Sequence, residues 1–252
     1  MRRFVKPPHL PQGKAELVLI GEKYRERLEK PLKKLGIECL WLPDNPHVDK
    51  RLSGHVDLSV VHLGENKLIL AEYLRGQSIV NTLTNRGFSI KYSTKVQSRL
   101  YPNDCGLNIC IVGSSVICNP ETIDNEIKKY FEKLRQIHVN QGYTKCSVCI
   151  TDNNSLITTD EGIATAASAA RVETLLIQNS GVNLDGFNSG FIGGATFKIS
   201  EKKLAVTGRL DKCSDKDLVY KYAAQKGIDI IYLTEDQAFD IGSGVILVEN
   251  SI

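Results

Sequence analysis

Cys146 and Cys149 stand three apart in CSVC, His55 and Asp57 two apart in GHVDLSVVHL, and Asn108 opens NICIVG. Thiols, imidazoles and carboxylates are the groups from which nucleophilic and acid–base catalysis is built. CSVC admits four readings: a metal knuckle, a redox pair, a reactive thiol with an idle neighbour, or two small apolar residues. Side chains alternate faces along a strand, so in a regular strand the two thiols point to opposite sides. A zinc knuckle or a thioredoxin-type pair needs a turn or helix start between its cysteines, and a four-cysteine site needs a second CxxC, which the chain lacks. No metal site is therefore expected. One special cysteine with a bystander, or two buried thiols, remain.

In an extended backbone His55 and Asp57 share a face, where a carboxylate can orient an imidazole or both can aim at one cation. The plainer reading is a polar loop leading into a strand. His62 lies near a hairpin turn and is expected to be exposed, whereas His9, His47 and His138 have no acidic or thiol company.

The elements that must position these residues recur along the chain. Near-continuous apolar runs occur at 58–63, 108–113, 146–151, 195–200 and 245–250. The first four are each followed by a polar turn (GEN, GSS, DNN, SEK) and a second strand, which is a hairpin signal. The fifth has no partner after it, and the N-terminal run AELVLIG at 15–21 is the expected one.

Between hairpins the period becomes helical. Tyr24, Leu28, Leu32 and Leu35 share one face of a helix that Pro31 should kink. Ile123, Ile127, Phe131 and Leu134 mark another, with Asn119 as cap and Pro120 at its first position. A third opens at Ser214 and closes on Gly227. One more strand follows each helix. The expected unit is helix, strand, loop, strand, turn, strand, repeated five times. Its fold is α/β: one domain over residues 1–252, a five-unit propeller closed by the N-terminal strand, with helices outside. His55 with Asp57, Asn108 and Cys146 all fall at strand starts that such a ring brings to one end of its axis. Gly194 and Gly244 occupy the same level in other units and would leave space for a ligand.

Composition narrows the classes. The 252 residues are 42% apolar and 24% charged, ordinary for a protein with a real core. A net charge of +3 from scattered basic residues is too little for a nucleic-acid footprint. No apolar run approaches the roughly 18–20 residues of a membrane span, and MRRFVKPPHLPQG has no apolar stretch of the secretory kind. Seven dispersed cysteines argue for reduced thiols and a cytoplasmic address. Nothing in the sequence speaks to oligomeric state.

The repeat pattern and these residues together resemble the guanidino-group-modifying enzymes, or penteins, whose fold is a five-unit α/β propeller with a central active site. Motif order is most similar to the dimethylarginine dimethylaminohydrolases: a histidine opening one strand (His55), an asparagine-initiated strand in the next unit (Asn108), and a nucleophilic cysteine in the unit after that (Cys146). The pairing of His55 with Asp57 is more like the deiminases. Cys149-Ile150-Thr151 echoes a deiminase pattern as well, but it sits too close to a turn, so Cys146 is the expected nucleophile. One departure stands out. The family's Gly-Gly-Asp segment, one unit before the histidine, is replaced by Gly242-Ser243-Gly244, and Gly193-Gly194-Ala195 also lacks the acid.

The resemblance implies a hydrolase or amidinotransferase acting on a small guanidino or amidine ligand, with no cofactor. Cys146 would attack the guanidinium carbon and give a covalent thiouronium, His55 would serve as acid and then base, and Asp57 would orient His55 or bind the substrate. Asn108, Gly194 and Gly244 would line the ligand site. The alternative is a non-catalytic ring that uses its face for binding, as the family's fold relative among ribosome anti-association factors does.

Overall fold

A computed structural model describes residues 1–131 and 134–250. The chain forms five small sheets. Four share one plan, an antiparallel hairpin followed by a helix and a third strand parallel to the hairpin's second. They are β4 (Val60–His62), β5 (Lys67–Leu70) and β6 (Ser89–Tyr92); β7 (Cys110–Val112), β8 (Ser115–Cys118) and β9 (Arg135–His138); β10 (Val148–Asp152), β11 (Ser155–Thr158) and β12 (Glu173–Leu176); and β13 (Thr196–Ser200), β14 (Lys203–Val206) and β15 (Asp229–Tyr232).

The fifth sheet joins the two ends of the chain. β16 (Val245–Asn250) lies between β1 (Arg2–Phe4) and β2 (Lys14–Gly21), antiparallel to both, and β3 (Glu38–Leu42) follows parallel to β2. AELVLIG is thus the partner of VILVEN. Each unit begins two elements later than the sequence suggested, at the first hairpin strand rather than at the helix. The strand after a helix completes the sheet before it and does not open the next, because the helix gives the crossover length that parallel pairing requires.

The first strand of one unit lies against the next, β7 against β10, β10 against β13, β13 against β16 and β16 against β4. These strands are buried along most of their length, which is why they read as continuous apolar runs rather than alternating ones. The later strands carry the helices. α1 (Arg25–Lys34) packs on β3, α5 (Glu161–Ala169) on β12 and α6 (Lys216–Gln225) on β15; α2 (Ser78–Asn85) connects β5 to β6. α1 runs through Pro31 as one element, burying Leu28 and Leu32.

Two helix starts differ from the sequence reading. α3 (Asn125–Lys128) is capped by Asp124, whose carboxylate accepts from the Glu126 N–H, while Asn119 closes a separate turn by accepting from the Glu121 N–H. The remainder of that expected helix includes 132 and 133, which lie outside the described residues. α6 starts after Asp215, not on a Ser214 cap.

His62 is buried, with its ring donating to the Glu65 carbonyl at 2.9 Å. The turn beside it does reach solvent at Glu65 and Lys67, but the His62 ring folds back onto the turn's own carbonyl, and burial pushes its pKa down to about 4. Among the described residues no helix is long and apolar enough to cross a membrane.

Candidate active site

Cys146 does not lie in a strand. Thr144–Ser147 forms the one-turn helix α4, and β10 begins at Val148. The turn is built by Asn108 from the preceding unit. Its Oδ1 accepts from the N–H groups of Lys145 (2.7 Å) and Cys146 (3.3 Å), two of the unpaired donors that every helix start leaves. The Thr144 hydroxyl donates to the Asn108 carbonyl at 2.9 Å. Asn108 Nδ2 in turn donates to Cys146 Sγ at 3.2 Å and reaches the Asp57 carbonyl at 3.4 Å. The Asn108 amide is committed to holding the thiol. The break from helix to strand also separates the two cysteines of CSVC: Cys149 packs in a core cluster with Ile157 and Ala195.

His55 and Asp57 are on a 3-10 turn, Val56–Leu58, with His55 as its N-terminal flanking residue. Both side chains are buried, and the turn rather than an extended backbone brings them to one place. Asp57 Oδ2 accepts from Cys146 Sγ at 2.9 Å. Burial, the negative charges of Asp57 and Asp240, and that hydrogen bond hold the Cys146 thiol well above its ordinary pKa, against a smaller lowering by Asn108. Among the described residues, Asp57 Oδ1 and His55 Nε2 are buried without a hydrogen-bond partner. One donor atom each from His55, Asp57 and Cys146 lie within 4.8 Å of one another. Nitrogen, oxygen and sulfur ligands in that number suit zinc with an open position, but Cys146 would first have to release the proton it donates to Asp57.

A second carboxylate completes the group, and the sequence reading missed it. Asp240 is buried with Oδ1 3.8 Å from His55 Nδ1. Its oxygens accept from the N–H groups of Gly242 and Phe191, each at 2.9 Å. Burial raises its pKa, with His55 and the two N–H groups opposing. Asp240 lies two residues before the Gly242-Ser243-Gly244 segment, in the unit that precedes His55 around the fold. Its sign in the sequence is the aspartate of AFDIGSG, which precedes the glycines, whereas the Gly-Gly-Asp pattern places the acid after them.

Gly194 and Gly244 do not face open space. A Cβ on Gly194 would lie 1.9 Å from Asp240 Oδ1, so the room there belongs to the carboxylate, and a Cβ on Gly244 would lie 3.0 Å from the Phe197 ring. Gly242, at φ +67°, carries the chain tightly past His55, and its carbonyl accepts from the Asp57 N–H at 3.2 Å.

Lys145 is the buried cation of this region, donating to the Ser243 hydroxyl (2.9 Å) and the Gly193 carbonyl (3.2 Å). A sequence offers no sign that a lysine beside a cysteine is buried. His55 and Cys146 form the floor of a pocket of about 160 Å³. Its walls include Leu52, Leu58, Leu184, Phe187 and Phe191.

The fold is that of the guanidino-group-modifying superfamily. An amidinotransferase of saxitoxin biosynthesis from Microseira wollei is 8% identical, with a TM-score of 0.59 over 94% of this chain and 96% of that one. The inosamine-phosphate amidinotransferase of Streptomyces griseus is 9% identical, with a TM-score of 0.59 over 99% and 98%. The dimethylarginine dimethylaminohydrolase of Pseudomonas aeruginosa, solved with citrulline, is 12% identical, with a TM-score of 0.53 over 87% and 92%. By sequence the chain belongs to a family of unknown function, DUF6873, whose model matches residues 19–245. No curated protein matches it by sequence.

Proposed function

We propose that this protein is a cysteine-dependent hydrolase or amidinotransferase acting on a small guanidino or amidine compound. It would work at the centre of a single domain whose five sheets are the blades of a closed propeller. The observation that carries the reading is the buried meeting of Cys146, His55, Asp57 and Asp240, with His55 Nε2 and Asp57 Oδ1 left unpartnered. A buried polar atom without a partner is costly, and a ligand that pairs with it removes the cost. A planar cation with several N–H donors supplies what these acceptors lack.

In the reaction proposed, a bound guanidinium donates to Asp57 and displaces the Cys146 S–H from it. The thiol proton passes to His55 and the thiolate attacks the central carbon. Collapse of the tetrahedral adduct breaks a C–N bond, and the departing amine leaves with the proton from His55. A thiouronium remains on Sγ. His55 then takes a proton from water, or from an acceptor amine, whose attack re-forms the tetrahedral centre and expels the thiolate. Asp240, 3.8 Å from His55 Nδ1, orients the ring at both steps. Asn108 holds the thiol in place, and Lys145 offsets part of the buried negative charge.

The test is mass spectrometry of the protein with a panel of guanidines and amidines. An adduct on Cys146 together with released amine, both absent in Cys146→Ser, supports the reading; neither in any member of the panel defeats it. A second reading, a ring that binds a cation without chemistry, is favoured by the hydrogen bond that keeps the thiol protonated on Asp57. It predicts ligand-induced stabilisation with no adduct.

A further inference from the structure

We infer that the compound recognised is an amidine or guanidine with an apolar tail, aryl or short alkyl, rather than a guanidino amino acid or a diamine derivative. The inference rests on the function proposed above and concerns what surrounds the reacting group. An α-carboxylate needs a cation or free N–H donors to replace its hydration, and an ammonium needs a carboxylate. Among the described residues, those lining the pocket include no lysine, arginine, aspartate or glutamate. The two acids of the site are not among the lining residues and sit at the reacting end, where Asp57 touches Cys146 at 2.9 Å and Asp240 stands 3.8 Å from His55. They can serve the cationic head and are out of position for a second charge at the far end of a ligand.

The polar groups at the rim are already committed. Arg51 lies over the Phe187 ring at 4.1 Å. Its Nε and Nη2 donate to the Asp49 carboxylate at 2.9 and 2.8 Å, and its Nη1 donates to the Gly186 carbonyl at 2.8 Å. Tyr143 donates its hydroxyl to Asp104, and Ser189 reaches only the neighbouring Gly190 carbonyl, at 3.4 Å. What remains for a ligand tail is hydrocarbon. Leu52, Leu58 and Leu184 pack with Val48 and Cys105 as a small apolar cluster under the pocket, and the Phe187 and Phe191 rings complete the walls. Arg51 draws the Phe187 segment against the loop that carries His55, so these walls are braced. A volume of about 160 Å³ is close to the ~150 Å³ of an apolar cavity that accepts one benzene ring. A single aromatic ring or a chain of a few methylenes fits; each methylene buried contributes on the order of fourfold in affinity.

The experiment is calorimetric titration of Cys146→Ser, which cannot form a covalent adduct, with guanidine, n-butylguanidine, phenylguanidine, benzamidine, agmatine and arginine. The expected result is binding of phenylguanidine or benzamidine at least tenfold tighter than arginine and agmatine. Phe187→Ala, at a side chain 41% exposed and so tolerant of truncation, should weaken the aryl compounds at least fivefold and leave guanidine unchanged. Equal or tighter binding of arginine or agmatine overturns the inference while leaving the proposed function standing. Failure of every compound, guanidine included, overturns both. Unchanged aryl affinity in Phe187→Ala overturns the assignment of the apolar wall as the specificity element.

Discussion

Replacing Asp57 by asparagine is expected to make Cys146 more reactive in the ligand-free protein, although the same change should abolish any turnover. Asp57 Oδ2 lies 2.9 Å from Cys146 Sγ, with both groups buried. Two unit charges about 4 Å apart at an effective dielectric near 20 interact by about 4 kcal/mol. Within such a pair the thiolate is disfavoured by that amount, besides losing the hydrogen bond that only the thiol can donate. Asparagine keeps the shape and removes the charge. If relaxation and water leave only a third of the effect, about 1.4 kcal/mol remains, a tenfold larger thiolate population. The assay is the rate of iodoacetamide labelling at Cys146 against pH, read by peptide mass spectrometry in wild type and Asp57→Asn. At pH 7 the variant should label at least about tenfold faster, with the profile displaced to lower pH, while Cys149 and the other five thiols are unchanged. Equal or slower labelling would refute the reasoning, because it would mean that Asp57 does not set the ionisation of the thiol.

Other expectations follow from the same geometry. The buried His62, with its pKa near 4 against about 6.5 when unfolded, is neutral in the folded chain and takes up a proton on unfolding in that window. Stability therefore falls as pH drops from 6.5 to 4, by about 3 kcal/mol from this group. In His62→Gln, denaturant titrations at pH 7 and pH 4 should differ by that much less than in wild type. Gly194→Ala places a Cβ 1.9 Å from Asp240 Oδ1 and should cost about 2 kcal/mol by overpacking. That is a fall of roughly 4–8 °C in Tm for a chain of this size; an unchanged Tm in a thermal melt would contradict the assigned packing. Asn108→Ala leaves the Lys145 and Cys146 N–H groups unpaired. With about 1–3 kcal/mol at stake for a buried donor, it should lower the denaturation midpoint and destroy ligand binding together.

The local pattern of this chain is written in its residues. Apolar runs at 108–113 and 146–151, with GSS and DNN between the strands that follow, specify hairpins within a dozen residues, because pairing and turn chemistry are short-range. Repetition of that pattern, and the lone VILVEN awaiting AELVLIG, carried the five-unit organisation and the joining of the chain's two ends. The starts of three hairpins held His55 with Asp57, Asn108 and Cys146, and these residues do meet. What tertiary structure alone decided is how they meet. The helical turn at Thr144–Ser147 exists because Asn108, far away in sequence, caps it. The partner of the thiol is Asp57, and the acid beside His55 is Asp240, from the opposite end of the chain. Burial of His62 and Lys145, against the usual exposure of such residues, likewise depends on what the other units place around them. Periodicity records the face a residue presents to its own strand or helix. Which groups share a desolvated centre, and with what charges, is settled only when segments up to two hundred residues apart are brought into contact.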